Sequence, residues 1–91
     1  MLIQRLAIQN QGLELELAPG HAAQLHISVR ESEKGSPVRD WTQPPAGKLL
    51  IDRLFNGVLY EIQVEALDEA GQVLEAGSRL AMPNFVPGKC V

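Results

Sequence analysis

The chain has 91 residues, a formal net charge of -3 at neutral pH and a pI near 5.2. This length allows one compact domain, because 91 residues are too few to close two hydrophobic cores. Apolar residues make up 45% of the chain and charged residues 21%, which is ordinary globular composition and argues against wholesale disorder. The acidic balance and the lack of any Lys/Arg cluster give no basic surface, so we expect no nucleic-acid partner.

The chain also lacks the sequence signals of membrane insertion and export. Its apolar runs are only a few residues long, against the roughly 20 that a membrane-spanning helix needs. The first nine residues alternate and carry no basic leader or cleavage site, so we expect no signal peptide and assembly in the cytoplasm. Cys90 is the single cysteine, which excludes an internal disulfide and fits a reducing setting.

Alternation of apolar and polar residues in short blocks predicts strands in the first part of the chain. Residues 2–8 form the first block, in which Ile3 breaks the pattern and indicates a bulge or an edge. Residues 13–17 alternate three leucines with two glutamates, which predicts a strand with one buried and one solvated face. Residues 25–30 repeat this pattern and predict a third strand.

The second part of the chain predicts four more strands. An edge strand is expected near residues 38–41, because the two prolines that follow cannot donate to a central ladder. Residues 49–54 and 60–66 supply the next two strands, and a hairpin leads to a weaker one over residues 73–82. In that last strand we expect Leu74, Leu80 and Met82 in the core and a bulge at Gly77.

The segment from residue 54 to residue 71 resembles a fibronectin type III domain. Leu54 is followed six positions later by Tyr60, an alternating strand runs to Ala66, and a hairpin with Asp68 and Gly71 closes it. In that family the tyrosine ring fills one end of the core while its hydroxyl bonds to an upstream backbone group. The resemblance therefore implies a structural corner at Leu54 and Tyr60.

Together these patterns predict an all-β protein, a seven-stranded antiparallel β-sandwich of the fibronectin type III or immunoglobulin-like class. The first, second and fifth strands are expected in one sheet and the other four in the second sheet. Residues 1–82 would form the sandwich and residues 83–91 a C-terminal tail.

The sequence contains few candidate residues for catalysis or metal binding. His21, His26 and Cys90 are too few and wrongly spaced for a zinc site, and no nucleophile has an oriented base beside it. His26 is expected on an outward strand face, either solvated or paired across strands. We therefore expect no enzyme, no cofactor and no metal.

The residues expected to touch a partner lie outside the alternating blocks: His21, Trp41, Asp68 and Glu69. Two readings of Trp41 stay open, one in which it folds over the core edge and one in which it is an exposed interface anchor. The hairpin loop at residues 68–71 corresponds to a loop that the family often uses for ligand contact. It lacks an Arg-Gly-Asp tripeptide, so animal-type cell adhesion is not supported.

From the predicted fold we expect the chain to act through contact with other proteins, as an interaction or structural module. Modules similar to this one occur in tail proteins of tailed bacteriophages, which implies other subunits of a phage tail as partners and the virion as a location. The C-terminal tail is a candidate for homo-oligomerisation. The alternative is a carbohydrate-binding or spacer module of a bacterial multidomain enzyme, which would need an exposed aromatic platform.

Overall fold

The computed structural model describes residues 2–35 and 37–84, which form seven β-strands and no helix. The strands are β1 (Ile3–Gln9), β2 (Gly12–Leu17), β3 (Gln24–Glu31), β4 (Pro37–Gln43), β5 (Lys48–Ile51), β6 (Tyr60–Leu67) and β7 (Val73–Ala81). The predicted all-β class is confirmed. The part of the chain that the structure describes therefore contains no candidate for a membrane-spanning helix.

The strands form two antiparallel sheets. One has the order β1-β2-β5 and the other the order β4-β3-β6-β7, which is the predicted division of the strands. Because β4 and β7 lie at the two edges of the four-stranded sheet, each has one side that pairs with no other strand of the described residues. Proline-flanked β4 is thus the edge strand that the sequence predicts.

The core forms where the alternating faces of the two sheets meet. In β2 the leucines at 13, 15 and 17 are buried while the intervening glutamates are half-exposed, as the alternation predicts. In β6 the same holds for Tyr60, Ile62, Val64 and Ala66. Leu2 and Ile3 are fully buried, and the pairing of β1 with β2 is irregular between Ile3 and Arg5, where the sequence indicates a bulge.

The expectation for the core face of β7 is wrong. Leu74, Leu80 and Met82 are 55%, 60% and 39% exposed. Pairing with β6 puts Tyr60 opposite Ala81 and Val64 opposite Gly77, so the odd-numbered positions from residue 75 to residue 81 face inward. The sequence pattern predicts the wrong inward face for this strand, because the positions that do face inward carry no large apolar side chain.

Close approach of β1 explains the small residue at Gly77. A Cβ added there would lie 3.3 Å from Ile3 Cγ1, so the isoleucine already fills the space that an inward side chain of β7 would take. The bulge expected at Gly77 is not there. The irregularity between β6 and β7 lies instead at Ala66 and Leu67.

One end of the sandwich is closed by the loop between β5 and β6. Tyr60 is buried, and its hydroxyl accepts a hydrogen bond from the backbone N–H of Phe55 at 3.0 Å. Leu54 is buried beside it, and its N–H donates to the carbonyl oxygen of Gln11. Asn56 accepts a bond from Gln11 N–H at 2.7 Å, so the β1–β2 turn and this loop are held together.

The described chain ends lie at opposite ends of the sandwich. Leu2 accepts a hydrogen bond from Ala18, which follows β2, whereas Asn84 N–H donates to Gln9 at the far end of β1. Pro83 is buried, and its carbonyl oxygen accepts a bond from Gly57. The division at residue 82 between sandwich and tail stays a prediction, because residues 85–91, with Cys90, lie outside the described residues.

Candidate functional site

Two loops meet at the end of the sandwich that holds Leu2. Residues 18–23 connect β2 to β3, and residues 68–72 connect β6 to β7. Because β3 and β6 are neighbours, the loop before one lies beside the loop after the other. Together they line an open depression of about 550 Å³, formed by His21, Ala22, Ala23, Asp68, Glu69 and Ala70. We call these six residues the loop-end surface.

Backbone hydrogen bonds hold the first loop in place. Gly20 has a φ of 63°, a left-handed conformation that glycine adopts without strain. A turn follows in which Ala22 N–H donates to Pro19 at 3.2 Å. The N–H of Ala23 donates to the carbonyl oxygen of Leu67 at 2.8 Å, which ties this loop to the end of β6. His21 is thereby carried, exposed, on an anchored turn.

The second loop is organised by Asp68. Its Oδ1 accepts bonds from the N–H groups of Ala70 and Gln72, both at 2.9 Å. Its backbone N–H donates to the carbonyl oxygen of Gln72, and Gly71 has a φ of 84°. The side chain therefore shapes the turn in the way an aspartate commonly does, and Glu69 stands exposed at its tip.

The four residues expected to touch a partner are thus divided by the fold. His21, Asp68 and Glu69 share the loop-end surface, whereas Trp41 is not among the residues that line it. Trp41 lies in β4 opposite Ile27, on the core side, and is half-buried against the core. Its indole N–H donates to Gln43 at 2.9 Å, so the arrangement is the one in which the ring folds over the core edge.

A cluster on the outer face of the four-stranded sheet joins three strands. His26 Nδ1 lies 2.8 Å from Glu65 Oε1, and His26 Nε2 lies 2.7 Å from Asp40 Oδ1. Since both ring nitrogens face carboxylate oxygens, the protonated ring satisfies both contacts. The bond to Glu65, followed by that to Asp40, raises the pKa of His26, and the bond from His26 lowers the pKa of Asp40.

This cluster has the residue types of hydrolytic sites but not their geometry. Ser28 Oγ donates to Asp40 at 3.3 Å, so the carboxylate stands between the hydroxyl and the imidazole. A nucleophilic serine needs the ring itself as its base. The outward face of His26 follows from the sequence, but its two partners depend on strand register, which no local pattern reveals. In the described residues no group of three or more His, Cys, Asp or Glu side chains is arranged to hold a metal ion.

Comparison with solved structures identifies the architecture. The structure is similar to the fibronectin type III domain of the human collagen alpha-1(XX) chain, with a TM-score of 0.73 at 18% identity, covering 97% of this chain and 89% of that one. The chain has the fibronectin type III fold.

Two further domains with the fibronectin type III fold are similar. The FN5 domain of Drosophila Lar gives a TM-score of 0.63 at 17% identity, covering 92% of this chain and 96% of that one. The fourth fibronectin type III domain of a human protein gives 0.68 at 17%, covering 96% and 79%. No protein-family model matches the chain, and no curated protein matches it significantly. In this fibronectin type III fold, Tyr60 and Leu54 occupy the corner that the sequence resemblance implies.

Proposed function

We propose that this domain is a non-catalytic structural module that binds another protein through its loop-end surface, as a subunit of a larger assembly such as a phage tail. The observation that carries the proposal is the convergence of His21 and Glu69 on two loops that are fixed by hydrogen bonds. Both side chains are exposed, so both are accessible to a partner.

Rigid presentation supports a role in binding. A loop that is already ordered loses little conformational entropy when a partner docks. The Asp68 side chain and the bond from Ala23 to Leu67 fix the loop backbones without using His21 or Glu69. The tip carries two carboxylates, Asp68 and Glu69, so the proposed partner surface is basic or rich in hydrogen-bond donors.

The carbohydrate-binding alternative needs exposed aromatic rings in one plane. Trp41 packs against the core edge and Tyr60 is buried. Phe55 is 71% exposed, but it lies in the loop between β5 and β6, at the opposite end from the loop-end surface. Among residues 2–35 and 37–84 no aromatic platform supports that alternative.

Incorporation into assembled particles tests the proposal. The full chain is expressed with its natural assembly partners, the particles are purified, and the chain is quantified in them by mass spectrometry. We expect a fixed copy number per particle, and at least about a tenfold loss of incorporation for Glu69→Lys with His21→Ala, since charge reversal at a contact costs a few kcal/mol.

Glu33→Lys is the matched control. Glu33 is an exposed glutamate in the turn between β3 and β4, at the other end of the sandwich. This variant should incorporate normally. Absence of the wild-type chain from every particle contradicts the assembly role, and equal incorporation of all variants contradicts the loop-end surface as its contact.

A further inference from the structure

An asparagine followed by a glycine, Asn56 and Gly57, lies in the loop between β5 and β6. The chain has three asparagines, at positions 10, 56 and 84, and Asn56 is the one that a glycine follows. Both residues of the pair are exposed to solvent. The loop therefore presents to water the dipeptide in which the side-chain amide reacts most readily with the next peptide nitrogen, because glycine has no Cβ to hinder the attack.

Deamidation of this pair consumes only water. The backbone nitrogen of Gly57 loses its proton to solvent and attacks Cγ of Asn56, the Cγ–Nδ2 bond breaks, and Nδ2 leaves as ammonia. The product is a succinimide ring that contains the nitrogen of Gly57. Water opens the ring at Cγ to give aspartate, or at the backbone carbonyl carbon of residue 56 to give isoaspartate, whose main chain runs through Cβ and Cγ.

In the folded chain hydrogen bonds hold both reacting groups. The N–H of Gly57 donates to the carbonyl oxygen of Pro83 at 2.9 Å. Asn56 Oδ1 accepts from Gln11 N–H at 2.7 Å, and Asn56 Nδ2 donates to Asn10 Oδ1 at 2.7 Å. Two of these bonds must break in the reaction, since Gly57 gives up its proton and Nδ2 leaves as ammonia. The third holds the amide in place, so the fold opposes deamidation.

The same bonds join the β1–β2 turn, the loop after β5 and the residue that ends the described chain beyond β7. Gln11 has a φ of 58°, a left-handed conformation that costs energy in a residue other than glycine. Asn56 and the bond from Leu54 N–H to the Gln11 carbonyl oxygen hold it there. An isoaspartate lengthens the main chain by one carbon atom, so its carboxylate and Gly57 cannot both keep their partners. Isomerisation therefore loosens this end of the sandwich.

We propose that Asn56 is a site of spontaneous deamidation and isomerisation, and that the folded domain restrains the reaction through the hydrogen bonds of Asn56 and Gly57. The rate of modification then follows how often this end of the sandwich opens. The site lies at the end opposite the loop-end surface, so this proposal does not depend on the proposed function.

Peptide mass spectrometry of aged protein tests the proposal. The full chain is incubated at mildly alkaline pH, both in buffer and in guanidinium chloride. The tryptic peptide of residues 54–79 is then analysed for conversion of amide to acid and for isoaspartate. We expect modification at Asn56 in both solutions, at least about tenfold slower in buffer, because the hydrogen bonds must first open.

Substitutions of Asn10 distinguish local restraint from general stability. Asn10→Ala removes the acceptor of Asn56 Nδ2 and should speed the reaction in buffer about fivefold. Asn10→Asp keeps an acceptor oxygen and should react at nearly the wild-type rate. Asp68→Ala is the matched control, because it removes hydrogen bonds from the hairpin at the other end and leaves the contacts of Asn56 in place. Circular dichroism checks that each variant is folded.

Four results contradict the proposal. The first is a wild-type chain that reacts equally fast in buffer and in denaturant, a comparison that needs no variant. The second is an Asn56 that stays unmodified in denaturant. The third is an equal rate for Asn10→Ala and Asn10→Asp. The fourth is an Asp68→Ala variant that reacts as fast as Asn10→Ala, which assigns the reaction to global unfolding.

Discussion

The hydroxyl of Tyr60 accepts a hydrogen bond from the backbone N–H of Phe55, 3.0 Å away across the loop between β5 and β6. The ring is buried in the core, so one side chain both fills the end of the sandwich and fixes the loop that covers it. The same loop holds the β1–β2 turn through Asn56.

Removing the hydroxyl should destabilise the domain without changing its fold. We expect Tyr60→Phe to lower the free energy of unfolding by about 1 kcal/mol, because the Phe55 N–H loses its acceptor at a part-buried position. In urea titrations the midpoint should fall while the m-value stays constant. Phe55→Ala is the control, since that ring is 71% exposed, and an unchanged Tyr60→Phe midpoint would contradict the corner.

Gly12 and Gly47 do not have left-handed backbone conformations, and their substitution by alanine should change the stability of the domain in different ways. A Cβ at Gly12 would lie 2.8 Å from the carbonyl oxygen of Ile51, so Gly12→Ala forces the β2–β5 pair apart and should cost roughly 1–3 kcal/mol. At Gly47 a Cβ meets nothing within 4 Å, so Gly47→Ala should be neutral or stabilising by up to about 1 kcal/mol. Thermal unfolding of both variants measures the difference, and equal effects would overturn this packing.

Removing the carboxylate of Asp68 should loosen the β6–β7 hairpin. Asp68→Ala leaves the N–H groups of Ala70 and Gln72 without their acceptor and should cost about 1–2 kcal/mol. Asp68→Asn keeps an acceptor oxygen and should recover most of the loss. Chemical denaturation distinguishes this turn-forming role from a contact role, for which both variants would unfold like the wild type.

The stability of the domain should decline as pH rises through the pKa of His26. Glu65 and Asp40 raise that pKa in the folded chain, so the folded state holds the proton more tightly than the unfolded state. The stabilisation is complete below the unfolded pKa of about 6.5 and is lost as the pH passes the raised folded pKa.

His26→Gln should remove this pH dependence, whereas His21→Gln should leave it in place because the His26 contacts remain. Urea midpoints measured between about pH 5.5 and pH 8.5 bracket the transition. A midpoint that rises with pH in this window, or that responds to both substitutions alike, would contradict the proposed pairing.

Strands with one buried face were predictable, because their alternation of apolar and polar residues shows which face packs in the core. Leu13 and Leu15 on β2, and Ile62 and Val64 on β6, alternate with polar residues and are fully buried. β7 was not predictable in the same way. Its inward positions include Gly77 and Arg79, and Ile3 from the other sheet fills the space between them and the core.

The same distinction applies to the candidate functional residues, of which some could be grouped from the sequence and others could not. His21 and Glu69 could be brought together from the sequence, since the loops that carry them connect neighbouring strands. The bonds from His26 to Asp40 and Glu65 required the registers of two strand pairs, β3 with β4 and β3 with β6. Local sequence does not encode those registers, because they are set by which faces are buried in the assembled core.

Amide hydrogen exchange tests most directly whether this sandwich works through contact with other proteins. The free chain at low concentration is compared with the chain in its assembled particle. We predict slower exchange in the particle at residues 18–23 and 68–72, and unchanged exchange in the turn at residues 32–35. Identical exchange in both states, or protection confined to residues 32–35, would contradict the account.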